Sequence, residues 1–295
     1  SDCGRNSQGS TPFIPSTWSY FIIINLKVHQ ECNTTLAALI QARGKLAEAE
    51  PLYQRALKIK EKVLGPEHPD TATGLNNLAS LLKDQAKLAE AESLCRRALE
   101  IREKALGPEH PDTANSLNNL ASLLKDQNKL AEAELLLRRV LGVWGKVFGL
   151  EHLVTAATLN NLAFLLKAQG KRVEAELFYC RALEILEKVL GPEHPDTATS
   201  LNNLAGLLQD QGKLAKAELL FRRALEVREK VLGQEHPDTA TSLNNLAGLL
   251  QAQGKLTEAE PLFRRTLEIQ EKALGPEHPN TTNTRNNLEF LLNAK

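Results

Sequence analysis

The strongest constraint on this chain is a phrase that returns every 42 residues. L-G-x-E-H-P-D-T begins at Leu64, Leu106, Leu190 and Leu232; at Phe148 it reads F-G-L-E-H-L-V-T, and at Leu274 it ends in P-N-T. A second phrase, L-N-N-L-A, keeps the same step, with Asn pairs at Asn76-Asn77, Asn118-Asn119, Asn160-Asn161, Asn202-Asn203 and Asn244-Asn245, and Asn286-Asn287 in a sixth, partial copy. A fixed period of this length means a stacked array of one supersecondary unit, because a single unit cannot bury its own apolar face.

The unit from Asp196 to Pro237 shows what each copy folds into. Ala198, Leu201, Leu204, Ala205 and Leu208 recur at helical spacing and define a helix A. Pro195 and Asp196 suit its N-terminus. Gln211-Gly212-Lys213 breaks it. Helix B follows, with Leu214, Ala217, Phe221, Ala224, Val227 and Val231 expected on its buried face. Glu218 with Arg222, and Glu226 with Lys230, are spaced four apart as on a solvent face. Gly233 ends the helix, and Pro237 precedes the next one. The expected fold class is all-α, a right-handed superhelical solenoid of antiparallel helix pairs. The units run 29–69, 70–111, 112–153, 154–195, 196–237 and 238–279, with a terminal helix over 280–295.

Residues 1–28 do not match the repeat and read as poorly ordered or as translated non-coding sequence. The chain has no Met, so a fragment or a translation lacking its start is expected. The third unit is irregular: Gly142 and Gly145 stand where Glu recurs, Trp144 replaces a polar residue, and Leu150 and Leu153 replace both loop prolines. Drift in one copy accounts for this, and so does a hinge or a docking patch around Trp144.

Lys+Arg and Asp+Glu are both 36, so the net charge is zero. That balance argues against a basic nucleic-acid footprint or a polybasic membrane anchor. No apolar run reaches the roughly 18 residues of a membrane span. Cys3, Cys32, Cys95 and Cys180 have neither zinc nor disulfide-framework spacing and read as reduced thiols of a cytoplasmic protein. The loop histidines His68, His110, His152, His194, His236 and His278 fall one per unit, roughly 10 Å apart if helices pack normally, whereas metal bonds to His are about 2 Å. Each is expected to serve its own loop. No phosphate loop, nucleophile elbow or zinc helix motif is present. No catalytic residues, metal or cofactor are expected. The Arg pairs Arg96-Arg97, Arg138-Arg139, Arg222-Arg223 and Arg264-Arg265 read as a salt-bridged outer face.

N-L-A in helix A, Gly-Lys at the turn and A-E-x-x-x-x-R-A-L in helix B resemble the tetratricopeptide repeat, usually about 34 residues long. The 42-residue form with L-G-x-x-H-P-D-T between units resembles the repeats of kinesin light chains. Similar repeats occur in sensor domains of NLR-like nucleotide-switch proteins. The resemblance spans about residues 29–295 and implies a scaffold or adaptor that binds a peptide segment of a protein partner in a concave groove lined by helix A.

Asn is a mediocre helix former, yet a pair sits mid-helix in unit after unit. Its amide both donates and accepts, so Asn76, Asn77, Asn118, Asn119, Asn160, Asn161, Asn202, Asn203, Asn244 and Asn245 suit a peptide main chain. One Asn of each pair bonding across to the next repeat is the competing reading. Lys83, Lys125 and Lys167 on the same helices favour acidic residues in the ligand. The expected function is a peptide-binding scaffold, with self-association through apolar ends as a further expectation. The alternatives are a sensor domain detached from a nucleotide-switch protein and a fragment without function.

Overall fold

The computed structural model describes residues 30–293, and every regular element among them is an α-helix. Residues 1–28 lie outside the described residues. Thirteen helices follow one another: α1 (30–42), α2 (Leu46–Leu64), α3 (Pro69–Asp84), α4 (Leu88–Leu106), α5 (Pro111–Asp126), α6 (Leu130–Val147), α7 (Leu153–Ala168), α8 (Arg172–Val189), α9 (Pro195–Asp210), α10 (Leu214–Leu232), α11 (Pro237–Ala252), α12 (Leu256–Leu274) and α13 (Pro279–Asn293). Odd helices are the A helices of successive repeats, and even ones are the B helices. The chain divides between Leu123 and Leu124, inside α5, into two compact units. In the first, α3 packs on α2 and α4. In the second, successive helices from α6 to α13 pack on one another, and α9 also reaches α7 and α11.

The inter-repeat phrase is a folding device. Gly65, Gly107, Gly149, Gly191, Gly233 and Gly275 all have φ between 91° and 99°, a region that costs side-chain-bearing residues energy. The next helix A is then capped by the loop histidine. Nδ1 of His68, His110, His152, His194, His236 and His278 accepts the backbone N–H two residues on, at 3.1–3.2 Å. The motif threonine closes the loop: Thr71, Thr113, Thr155, Thr197 and Thr239 donate to the carbonyl of the loop glycine at 2.8–2.9 Å. Each histidine thus serves its own loop, as its spacing suggests, and does so as a helix cap.

The core is leucine and alanine at close range. Ala72, Ala114, Ala156, Ala198 and Ala240 in the A helices, and Ala91, Ala133, Ala175, Ala217 and Ala259 in the B helices, are fully buried. Small side chains at these points let helices approach closely, and Leu fills the space between. In most B helices a large ring follows four residues after the alanine: Tyr53, Tyr179, Phe221 and Phe263 are buried.

Two readings of the B helices need correction. Val231 is 47% exposed, while Arg228 is 6% exposed and takes the place expected for it on the buried face. Trp144 occupies the same repeat position as Arg228 and is 5% exposed, so it is core and offers no docking surface. Its ring packs on Phe148 at 5.4 Å, and Phe148 stacks on His152 at 4.7 Å.

The irregular α6 carries a removable weakness. A Cβ added at Gly142 meets nothing within 4 Å, and the residue lies inside the helix. Gly142→Ala is expected to stabilise the protein by about 1 kcal/mol, the difference in helix propensity. Urea unfolding reads this, and an unchanged midpoint would show that α6 is not helical there in solution. Gly145 differs, since its Cβ would sit 3.0 Å from Leu150 Cδ2.

Candidate peptide-binding face

Helix A presents the two asparagines of each pair to different surroundings. Asn76 and Asn202 are 7% and 8% exposed. Nδ2 of Asn76 donates to Ser116 Oγ at 3.0 Å, and Nδ2 of Asn202 donates to Ser242 Oγ at 2.9 Å. In each case the serine belongs to the next A helix. At Asn160 and Asn244 the direction reverses: Ser200 donates to Asn160 Oδ1 at 3.3 Å, and Thr284 to Asn244 Oδ1 at 3.5 Å. The first asparagine of these four pairs therefore ties one repeat to the next.

What sets the direction is a buried cation on helix B. Arg102 Nη1 donates to Asp112 O at 2.8 Å and to Ser116 Oγ at 3.0 Å, while Nη2 donates to Thr73 Oγ1 at 2.8 Å. Arg228 repeats the set with Asp238 O at 2.7 Å, Ser242 Oγ at 3.1 Å and Thr199 Oγ1 at 3.0 Å. Burial pushes both guanidinium pKa values down, and Asp112 or Asp238 pulls them back. A serine oxygen already facing an arginine accepts from the asparagine as well. One repeat earlier than Arg228 stands Leu186, and there Ser200 is free to donate. Beside Trp144, Thr158 turns to its own helix and donates to Val154 O at 2.9 Å. In the first repeat Lys60 takes the arginine's place and reaches Asp70 O at 2.9 Å.

The second asparagine is left to solvent. Asn119 and Asn161 are exposed, and Asn77, Asn203 and Asn245 are partly so. None of these five side chains hydrogen-bonds another described residue. Asn118, a first member, is also partly exposed.

The three lysines flank this face. Lys83 Nζ donates to Ser122 Oγ at 2.9 Å. Lys125 lies 5.4 Å from the centre of the Phe164 ring and 3.6 Å from Asp126 Oδ1. Lys167 pairs with Asp210 at 2.8 Å. In the first unit Asn76, Asn77, Lys83 and Asn119 converge on a cavity of about 320 Å³ floored by Cys95 and Leu123. Cys95 is the substitution that sequence reading passed over: it stands where Tyr53, Tyr179, Phe221 and Phe263 stand in other repeats. Burial pushes its thiol up to about 11, so it is neutral and inert near pH 7.

The opposite face is ionic. Lys87–Glu50, Lys171–Glu134, Lys213–Glu176 and Lys255–Glu218 join successive repeats at 2.7–3.0 Å. Hydrogen bonds from Lys255 hold the Glu218 carboxyl at about 2 against the opposing effect of burial, with Arg222 and Gln253 adding to the fall. The arginine pairs of helix B belong to this network, as Arg97–Glu61 at 3.0 Å and Arg223–Glu187 at 2.7 Å show. Among the described residues no group of three or more His, Cys, Asp or Glu side chains is placed to hold a metal.

Sequence models of the tetratricopeptide repeat match residues 30–92, 70–146, 136–188 and 154–230, and a second one matches 239–280. The chain belongs to the tetratricopeptide repeat family. Its repeats resemble those of solved kinesin light chain-type structures. A Podosopora anserina structure described as a putative kinesin light chain with nearly identical TPR-like repeats is 29% identical, with a TM-score of 0.62 over 70% of this chain and 98% of that one. BtubC (BKLC) from P. vanneervenii is 26% identical, with a TM-score of 0.62 over 85% and 94%. PilF of Pseudomonas aeruginosa, at 17% identity and a TM-score of 0.56 over 89% and 99%, shares the fold. Comparison with curated proteins gives no match. The tetratricopeptide array is a protein-interaction scaffold, and no described helix is long and apolar enough to cross a membrane.

Proposed function

We propose that the helix A faces bind extended peptide segments of a partner protein, gripping the main chain through Asn77 and Asn119 in the first unit and through Asn161, Asn203 and Asn245 in the second. The observation that carries this is the division within each pair. A first asparagine bonded to the next repeat explains its own recurrence and leaves the second unexplained by packing. An amide repeating at one position, with donor and acceptor both open, matches the alternating N–H and C=O of an extended strand. Specificity then comes from the residues around it. Lys125, held by a ring and a 3.6 Å carboxylate, is the lysine that an acidic ligand residue engages most readily. Lys83 and Lys167 give up shorter contacts to do so. The scaffold works without catalysis or cofactor, in the cytoplasm, where Cys32, Cys95 and Cys180 stay free thiols.

Peptide display on the purified chain tests this beside the triple variant Asn161→Ala, Asn203→Ala, Asn245→Ala. The wild type is expected to enrich a shared motif that the variant loses, with both equally helical by circular dichroism. Removing three main-chain contacts at about 1 kcal/mol each lowers affinity by roughly two orders of magnitude. Equal enrichment by both proteins would assign binding to another face.

A further inference from the structure

The arginine network has a counterpart in which the receptor is complete and the arginine is not. Three groups hold the guanidinium of Arg228: Thr199 Oγ1 on the preceding A helix, and Asp238 O and Ser242 Oγ on the following one. One repeat on, the matching groups are Thr241, Asn280 and Thr284, and the side chain between them is Gln270. Glutamine is too short to reach all three. The result is a solvent-connected cavity of about 210 Å³ lined by Thr241, Asn244, Gln270, Asn280, Thr284 and Asn287, among other polar groups.

Thr241 is set as Thr199 is beside Arg228. Thr199 donates its hydroxyl proton to Pro195 O at 3.1 Å while accepting from Arg228. Thr241 donates likewise to Pro237 O at 3.2 Å, which leaves its oxygen lone pairs facing the cavity. Thr284 donates to Asn244 Oδ1 and keeps its own acceptor capacity. Gln270 Oε1 is buried and has no hydrogen-bond partner. A buried acceptor without a donor is costly, and a planar cation with five N–H groups can satisfy it and its neighbours together. Arg285, next in sequence to Thr284, is held away by Glu271 at 2.8 Å.

We propose that this cavity receives the arginine side chain of a partner peptide, which completes in trans the contacts that Arg102 and Arg228 make in cis. The intramolecular precedents separate the ligand classes: Arg102 and Arg228 each reach all three groups, whereas Lys60, at the same place in the first repeat, reaches Asp70 O at 2.9 Å. A lysine offers one ammonium and cannot fork between Thr241 and the Asn280 carbonyl. A neutral amide lacks the charge that shortens such hydrogen bonds. The inference is independent of the asparagine reading, since a single side chain seats in the cavity whether or not a main chain crosses Asn203 and Asn245.

The test titrates the full chain with Nα-acetyl-arginine amide, and separately with its neutral citrulline counterpart, while following backbone amide NMR shifts. The expected result is saturable shifts at Thr241, Asn280 and Thr284 with a midpoint of about 1 mM, the range of a few hydrogen bonds, and at least tenfold weaker binding of the citrulline compound. Gln270→Arg fills the cavity from within and is expected to abolish the shifts. Thr241→Val, which removes one acceptor and keeps the shape, is expected to weaken the probe about tenfold. Absent or non-saturating shifts, equal response to citrulline, or undiminished binding in either variant would overturn the assignment. Because the probe is a single residue, those outcomes leave peptide capture by the asparagines to its own experiment.

Discussion

Arg228→Ala is expected to lower the unfolding free energy by about 3 kcal/mol, more than any surface charge in the chain. Its guanidinium is buried and reaches a carbonyl and two hydroxyls on two successive A helices. Hydrogen bonds to a charged group each contribute about 1.5–3 kcal/mol net, and truncation strands Asp238 O, Ser242 and Thr199 in a dry interface. Removing the arginine also removes its own desolvation cost, which keeps the loss below the sum of the bonds. The outer ion pairs offer a contrast. Lys272–Glu235 at 3.0 Å is exposed on both sides, and such pairs contribute about 0–1 kcal/mol.

The loss should be local, because in a repeat array stability is held in nearest-neighbour interfaces. Hydrogen exchange is expected to quicken in α9, α10 and α11 and not in α3 or α4. Arg228→Leu is the informative second variant. Leu186 already occupies this position one repeat earlier, where Ser200 donates to Asn160. Once Arg228 is gone, Ser242 can reverse in the same way and donate to a flipped Asn202, so Arg228→Leu should recover about half of the loss seen with alanine. If alanine and leucine cost the same, the hydroxyl does not reorient. If neither costs more than about 0.5 kcal/mol, the network does not hold the repeats together.

That network also marks where sequence reading stopped. The 42-residue step, the helix pair, the glycine turn and the confinement of His194 and its equivalents each to its own loop follow from spacing and turn chemistry. All of them depend on local geometry, which a period preserves. Arg228 was hidden because a charged residue in a glutamate-rich helix reads as a solvent side chain. Its position four residues after Ala224, on the stripe of Ala217 and Phe221, was the available signal. Val231 reads as core by apolarity alone, yet in the last turn of α10 it is 47% exposed. The two asparagines of a pair are identical in sequence terms. Only the serine or threonine 40 residues on, contributed by the next helix, tells them apart. Trp144 attracted a surface reading because it stands where others are polar, but the polar residues at that position, Arg102 and Arg228, are themselves buried.

Cys95→Phe is the substitution expected to separate stability from binding. Cys95 is 3% exposed and sits where Tyr179, Phe221 and Phe263 are each no more than 2% exposed. A ring on that rotamer is one the repeat already accommodates, and the cavity of about 320 Å³ above Cys95 has room for it. Burying the added carbons should stabilise the protein by about 2 kcal/mol, read as a higher urea midpoint. The same ring intrudes on the space shared by Asn77, Lys83 and Asn119. A ligand side chain seated there is then displaced, and affinity for a peptide that depends on Asn77 and Asn119 should fall at least tenfold. Cys95→Ser, which leaves the cavity open, should keep that affinity. A stabilised Cys95→Phe that binds as well as wild type would show that peptides cross the asparagines without entering the cavity. A destabilised one would show that α3, α4 and α5 close around the cysteine in solution, since a ring inserted into a filled core costs about 1–3 kcal/mol.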